Sequence, residues 1–151
     1  CNNLNQTMLE IQDRIGEVEL DGIPVQFVTI SFDPENDTPE TLAAYAEYQG
    51  ADPQQWNFAT TNDPILLKTI IGGGFEAYYK QKEDGTFTFD PKFVLVDGWG
   101  IIRGEYRYQT MTPDADRILR HMGVLAEEVR NSQGVATLAY EAAHYFLCYT
   151  P

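Results

Sequence analysis

Val28-Thr29-Ile30-Ser31-Phe32-Asp33-Pro34-Glu35-Asn36-Asp37-Thr38-Pro39-Glu40 is the stretch on which the fold turns. It opens in a run of β-branched and aromatic residues, Pro24 to Phe32, that reads as a buried central strand. A loop follows over Asp33 to Asp37. Thr38-Pro39-Glu40 then starts a helix: a hydroxyl cap, a proline at the first helical position and an acid in the first turn. That helix carries Tyr45 and ends near Gly50. Strand, loop and capped helix make the first half of a β-α-β unit, and Trp56 to Thr60 supplies its second strand.

The pattern continues on both sides. Upstream, Leu4, Met8, Ile11 and Ile15 recur at helical spacing until Asp21-Gly22 breaks the chain. Downstream, Asp63-Pro64 caps a helix through Ile71 that Gly72-Gly73-Gly74 ends. Phe75–Gln81 and Thr86–Asp97 flank Glu83-Asp84-Gly85 as a hairpin, in which Phe93-Val94-Leu95-Val96 is the most strand-like run. Asp97-Gly98-Trp99-Gly100 turns the chain, and Ile101 to Tyr108 returns. Thr112-Pro113-Asp114 begins a helix bearing Ile118, Leu119, Met122, Leu125 and Val129. After Asn131-Ser132-Gln133-Gly134, an amphipathic, aromatic helix runs from Val135 to Tyr149. The order α-β-α-β-α-β-β-α with one added helix predicts an α/β, thioredoxin-like domain over 1–131 and a C-terminal helix over 132–151. The strand that precedes the first helix of that fold is missing. A parallel sheet without it leaves backbone groups unpaired near its centre, so the chain is expected to extend upstream of Cys1 or to borrow another segment.

Composition narrows function. With 23 acids against 10 bases the net charge is −13, which argues against nucleic acid and against an anionic membrane surface. The 151 residues contain no apolar run long enough to span a bilayer, and the first six have neither the basic start nor the apolar stretch of a signal peptide. The two cysteines, Cys1 and Cys148, form no disulfide framework; they can pair, bind a soft metal or stay inert.

The segment Asp33-Pro34-Glu35-x-Asp37-Thr38-Pro39-Glu40 resembles one of the Sco/SenC family. Ala51 to Phe58 is similar to that family's approach to its next strand. Phe93-Val94-Leu95-Val96-Asp97-x-x-Gly100-x-Ile102-Arg103-Gly104-x-Tyr106 is similar to its late hairpin. The resemblance implies a thioredoxin fold. It implies a role in copper delivery or thiol redox during assembly of a respiratory oxidase, as a chaperone, or as a thiol–disulfide reductase if the protein is an enzyme. It also implies a place on the periplasmic side of a bacterial membrane, or in the mitochondrial intermembrane space. The family holds copper with two cysteines of a C-x-x-x-C-P motif and a later histidine, a soft donor set suited to Cu(I). Cys1 maps to the second cysteine and is the metal ligand the resemblance implies. The following proline is Asn2 here, and the histidine position is Phe89, with no histidine anywhere before His121. The competing expectation is therefore an accessory or assembly subunit of a membrane respiratory or photosynthetic electron-transfer complex that has kept the fold and lost the copper site. A peroxiredoxin-like reading fails because Asn2-Asn3-Leu4-Asn5 lacks the Pro/Thr-rich setting of a peroxidatic cysteine.

The other candidates have plainer readings beside the functional one. His144 and Cys148 lie at i and i+4, on one face of the last helix, and could share a metal; a packing helix accounts for them equally. Asp33 and Asp37 could tune a thiol, or simply make a turn and cap a helix. His121, Trp99, Tyr106 and Tyr108 read as packing residues.

Overall fold

A computed structural model describes residues 2–107 and 114–132. Helix α1 spans Asn2–Arg14, strand β1 Phe27–Ile30, helix α2 Pro39–Gln49 and strand β2 Trp56–Ala59. Helix α3 covers Pro64–Lys68 and widens into a π-helical turn over Thr69–Gly74. Strands β3 (Tyr79–Gln81), β4 (Phe87–Phe89), β5 (Lys92–Val96) and β6 (Ile102–Arg107) precede helix α4, Ala115–Asn131. The expected last helix over 132–151, with His144 and Cys148, lies outside the described residues apart from Ser132, as do Cys1 and Tyr108.

The capping chemistry is the one the sequence predicts. Thr38 Oγ1 accepts from the Thr41 amide at 3.3 Å, Asp63 Oδ1 from those of Ile65 and Leu66, and Asp114 Oδ1 from that of Arg117. Gly50 closes α2 in the left-handed region, φ +79°, which a side chain would strain.

β1 and β2 run parallel, with Phe27 opposite Trp56 and Thr29 opposite Phe58. β3 and β4 form one antiparallel pair, β5 and β6 another. The single strand expected over Thr86–Asp97 is thus two. Pro91, which has no N–H, lies between them, and β4 pairs back to β3 while β5 pairs forward to β6. The buried central strand expected over Pro24–Phe32 is also corrected. β1 is shorter, pairs among the described residues with β2 alone, and Val28 is 56 % exposed. Among the described residues no ladder joins β1–β2 to β5–β6.

Side chains bridge the break. Ile11 of α1, Phe27 of β1, Trp56 of β2, Tyr106 of β6, and Ala115, Ile118, Leu119 and Met122 of α4 form one core, with Phe93 and Leu95 against it. Burying an aliphatic side chain of this size contributes about 1.5–3 kcal/mol. At the far end of the β5–β6 ladder, Val96 faces Ile102 while Leu95 faces Gly104, so Arg103 is an extra, bulged residue. The bulge aims Arg103 at Asp97 and Glu128, tying the turn to α4.

Asp97 is nearly covered. Burial pushes its carboxyl up, but the amides of Ile101 and Trp99, each at 3.0 Å, and the Arg103 guanidinium outweigh burial and hold it below the ordinary aspartate range. A depressed folded pKa contributes stability that is present above the unfolded value and lost as pH falls through the folded one. Urea unfolding followed downward from about pH 5 should therefore show stability falling below about pH 4. Asp97→Asn should be less stable at neutral pH and show a shallower acid loss. An acid slope identical to the wild type would assign the loss to other carboxylates.

Candidate functional site

α1 starts at Asn2, directly after Cys1, and its first turn carries no acid. Its amides and the positive end of its dipole thus point back toward the cysteine position. Asn5, buried in the first half of the helix, donates from Nδ2 to the Tyr45 hydroxyl of α2. Ile11 anchors the second half in the core. Cys1 itself lies outside the described residues.

The loop after β1 is built from its own polar groups. Ser31 Oγ donates to Asp37 and accepts from the Asp33 amide at 3.0 Å. Asn36 Nδ2 donates to both oxygens of Asp33, at 3.1 and 2.9 Å, and the Asp37 amide donates to the Asp33 carbonyl at 2.8 Å. The turn-making reading of Asp33 and Asp37 is the one the structure supports. Both carboxylates are engaged locally.

Phe32, the residue before this loop, packs among the hairpin rings. Its centroid lies 5.2 Å from each of Tyr79, Phe87 and Phe89, and Tyr79 is stacked on it. Phe89, at the position where the resemblance expects a histidine, is therefore one of four packed rings (aromatic pairs of this kind contribute about 0.5–1.5 kcal/mol each beyond area burial). A sequence signal existed: Phe87 and Phe89 alternate along β4 and so share a face. Among the described residues no three His, Cys, Asp or Glu side chains come together as a metal site. An aromatic ring at position 89 offers copper no donor.

The described histidine, His121, lies elsewhere. Its Nδ1 is engaged by the Tyr106 hydroxyl, and its ring meets the tyrosine edge-on. The packing role expected of both residues holds. Trp99 differs: it is 68 % exposed on the β5–β6 turn, where it was expected to pack.

The sequence model of the SCO1/SenC family matches residues 1–124. The chain belongs to the SCO1/SenC family. Within that family it is 25 % identical over 119 residues to the SCO1 protein homolog of Bacillus subtilis (strain 168), covering 78 % of this chain and 60 % of that relative. It therefore spans less than two thirds of that relative's length. It is also similar to the crystal structure of a SCO1/SenC family lipoprotein from Bacillus anthracis str. Ames, with TM-score 0.72 and 28 % identity over 83 % of this chain and 73 % of that one. The fold of this SCO1/SenC chain is thioredoxin-like, built on the β1–α2–β2 unit and the β5–β6–α4 segment. No helix among its described residues is long and apolar enough to cross a membrane.

Proposed function

We propose that this SCO1/SenC protein serves assembly of a respiratory oxidase through the thiol of Cys1 and not through a three-ligand copper site. The observation that carries this reading is Phe89, packed against Phe32 where the family resemblance expects the imidazole ligand. The part of the family chemistry carried within this sequence is a cysteine immediately ahead of a helix N-terminus, a setting that lowers thiol pKa and favours the nucleophilic thiolate. In thiol–disulfide exchange the Cys1 thiolate attacks a disulfide of the partner protein. One S–S bond forms between Cys1 and the partner, the partner's own S–S bond breaks, and the departing thiolate takes a proton from water. A second thiolate, the reductant, attacks the Cys1 sulfur: a new S–S bond forms between it and Cys1, the bond to the partner breaks, and the partner's thiolate leaves and is protonated, which completes the transfer of two electrons to the partner. The partner is a subunit of a membrane electron-transfer complex. The location is the outer face of a bacterial membrane, a reading supported by the likeness to a lipoprotein.

The test is an anaerobic Cu(I) titration of the full-length protein against a competing chelator, beside Cys1→Ser and Phe89→His. The wild type should bind no more tightly than Cys1→Ser, whereas Phe89→His should gain roughly tenfold or more, because an added imidazole turns a thiol site into a chelate. Reaction with an aromatic disulfide at neutral pH should show one fast thiol that Cys1→Ser removes. Tight one-to-one copper binding by the wild type, abolished in Cys1→Ser, would sink this reading in favour of copper delivery with a substitute third ligand.

A second reading, an accessory subunit without thiol chemistry, is favoured by a separate observation. Val96, Trp99, Ile101 and Ile102 expose apolar surface together around the β5–β6 turn. Under that reading Cys1→Ser would leave copurification with the respiratory complex, and the level of assembled oxidase, unchanged.

A further inference from the structure

β6 and α4 flank an open cleft of about 360 Å3, lined by Gly104, Glu105 and Tyr106 on the strand side and by Arg117, Arg120, His121 and Val124 on the helix side. Its cations are uncommitted. Arg14, Arg103, Arg107 and Arg130 each hold a carboxylate, whereas Arg117 and Arg120 enter no ion pair among the described residues. Shortage does not explain this in a chain with 23 acids and 10 bases. The neighbouring carboxylates are occupied. Glu105, which also lines the cleft, is held by Lys92 at 2.8 Å and Arg107 at 3.2 Å, and Asp116 by Arg14 at 2.7 Å. Asp114 caps α4 through the Arg117 amide.

Space is also provided. A Cβ on Gly104 would come within 2.9 Å of His121 Cε1 and 3.0 Å of Nδ1, closer than real side chains tolerate, so glycine is what lets the imidazole lie against the strand. Burial pushes the Tyr106 phenol's pKa up, offset in part by Arg117, and the hydroxyl keeps its proton. In the tautomer whose Nδ1 accepts from that hydroxyl, the ring N–H is on Nε2, which is then a donor.

We propose that this cleft binds a small oxyanion, a phosphate or carboxylate group, through the guanidinium groups of Arg117 and Arg120 and the Nε2–H of His121. Residues three and four apart lie on one helix face, which brings these three groups together, and the guanidinium fork matches two oxygens of such a group. The assignment is independent of the Cys1 chemistry.

The full-length protein is titrated with inorganic phosphate and, separately, with succinate at constant ionic strength, following the Gly104 amide and His121 ring resonances by NMR. Arg117→Gln/Arg120→Gln is the test variant, and Lys80→Gln/Lys82→Gln matches its charge loss on β3 and the turn that follows it. At least one anion should saturate the shifts, with affinity falling roughly tenfold or more in the arginine variant and staying unchanged in the lysine one. Saturation by phosphate alone assigns a phosphate site, by succinate alone a carboxylate site. Failure of both to saturate, or equal affinity in the arginine variant, overturns the proposal.

Discussion

Ile11→Ala should lower the stability of the fold by about 2–5 kcal/mol, the range for truncating a fully buried aliphatic side chain. Ile11 is 1 % exposed, the most enclosed large side chain among the described residues, and packs in one cluster with residues of α4, β1, β2 and β6. Its removal takes away apolar burial and leaves a cavity that a helix pinned by Asn5–Tyr45 at one end and Arg14–Asp116 at the other cannot close. Arg14 adds bonds to Glu10 and Glu17, but exposed pairs of this kind contribute little. Urea unfolding monitored by circular dichroism checks the number. Because α1 carries the cysteine position at its start, thiol reactivity measured in the folded baseline should change as well. A loss under about 1 kcal/mol would mean that α1 is held by its polar ends and not by its apolar face.

Trp56→Ala should cost about 3–5 kcal/mol, a large share of the 5–15 kcal/mol that holds a domain of this size together. Trp56 is 2 % exposed. Its ring stacks on Phe58 at 5.3 Å and meets Phe27 edge-on at 6.4 Å, and its Nε1–H donates to Thr29 Oγ1 at 2.9 Å. It thus joins β2 to β1 by side-chain contact as well as by the ladder. Trp56→Phe keeps most of the volume and loses the hydrogen bond, so it should fall well short of the alanine variant. Equal losses in the two variants would place the energy in the indole N–H and not in packing.

Much of this was legible in the amino-acid sequence. Thr38, Asp63 and Asp114 announce helix starts because their side chains satisfy amides that no other residue reaches, a local matter that needs no tertiary context. The family is readable for a similar reason, since the Asp33–Glu40 segment combines turn and cap at fixed spacing. Two errors came from the reach of the argument. β-branched residues around Val28 predict a buried strand, but burial depends on what lies on each side of it, and among the described residues β1 has β2 as its one ladder partner. The break at Asp90-Pro91 was overrun because flanking apolar residues read as one strand, although proline cannot donate to a ladder. At the candidate site, the absence of histidine at Phe89 was plain. Its ring cluster was not, because Phe32 and Phe89 meet only after the chain has folded. The Arg117–Arg120–His121 cleft was missed for the same reason: helical spacing groups the three, but Gly104 and Tyr106 complete it from another element.

The joint between the two ladders has a thermal consequence. Within each ladder backbone hydrogen bonds hold the strands, but between them the connection is Phe27, Trp56, Tyr106 and their apolar neighbours. Attraction between apolar surfaces near room temperature is entropic in origin and weakens on cooling, while hydrogen-bonded pairing does not share that dependence. Cooling therefore weakens the joint between the ladders more than it weakens the pairing within each.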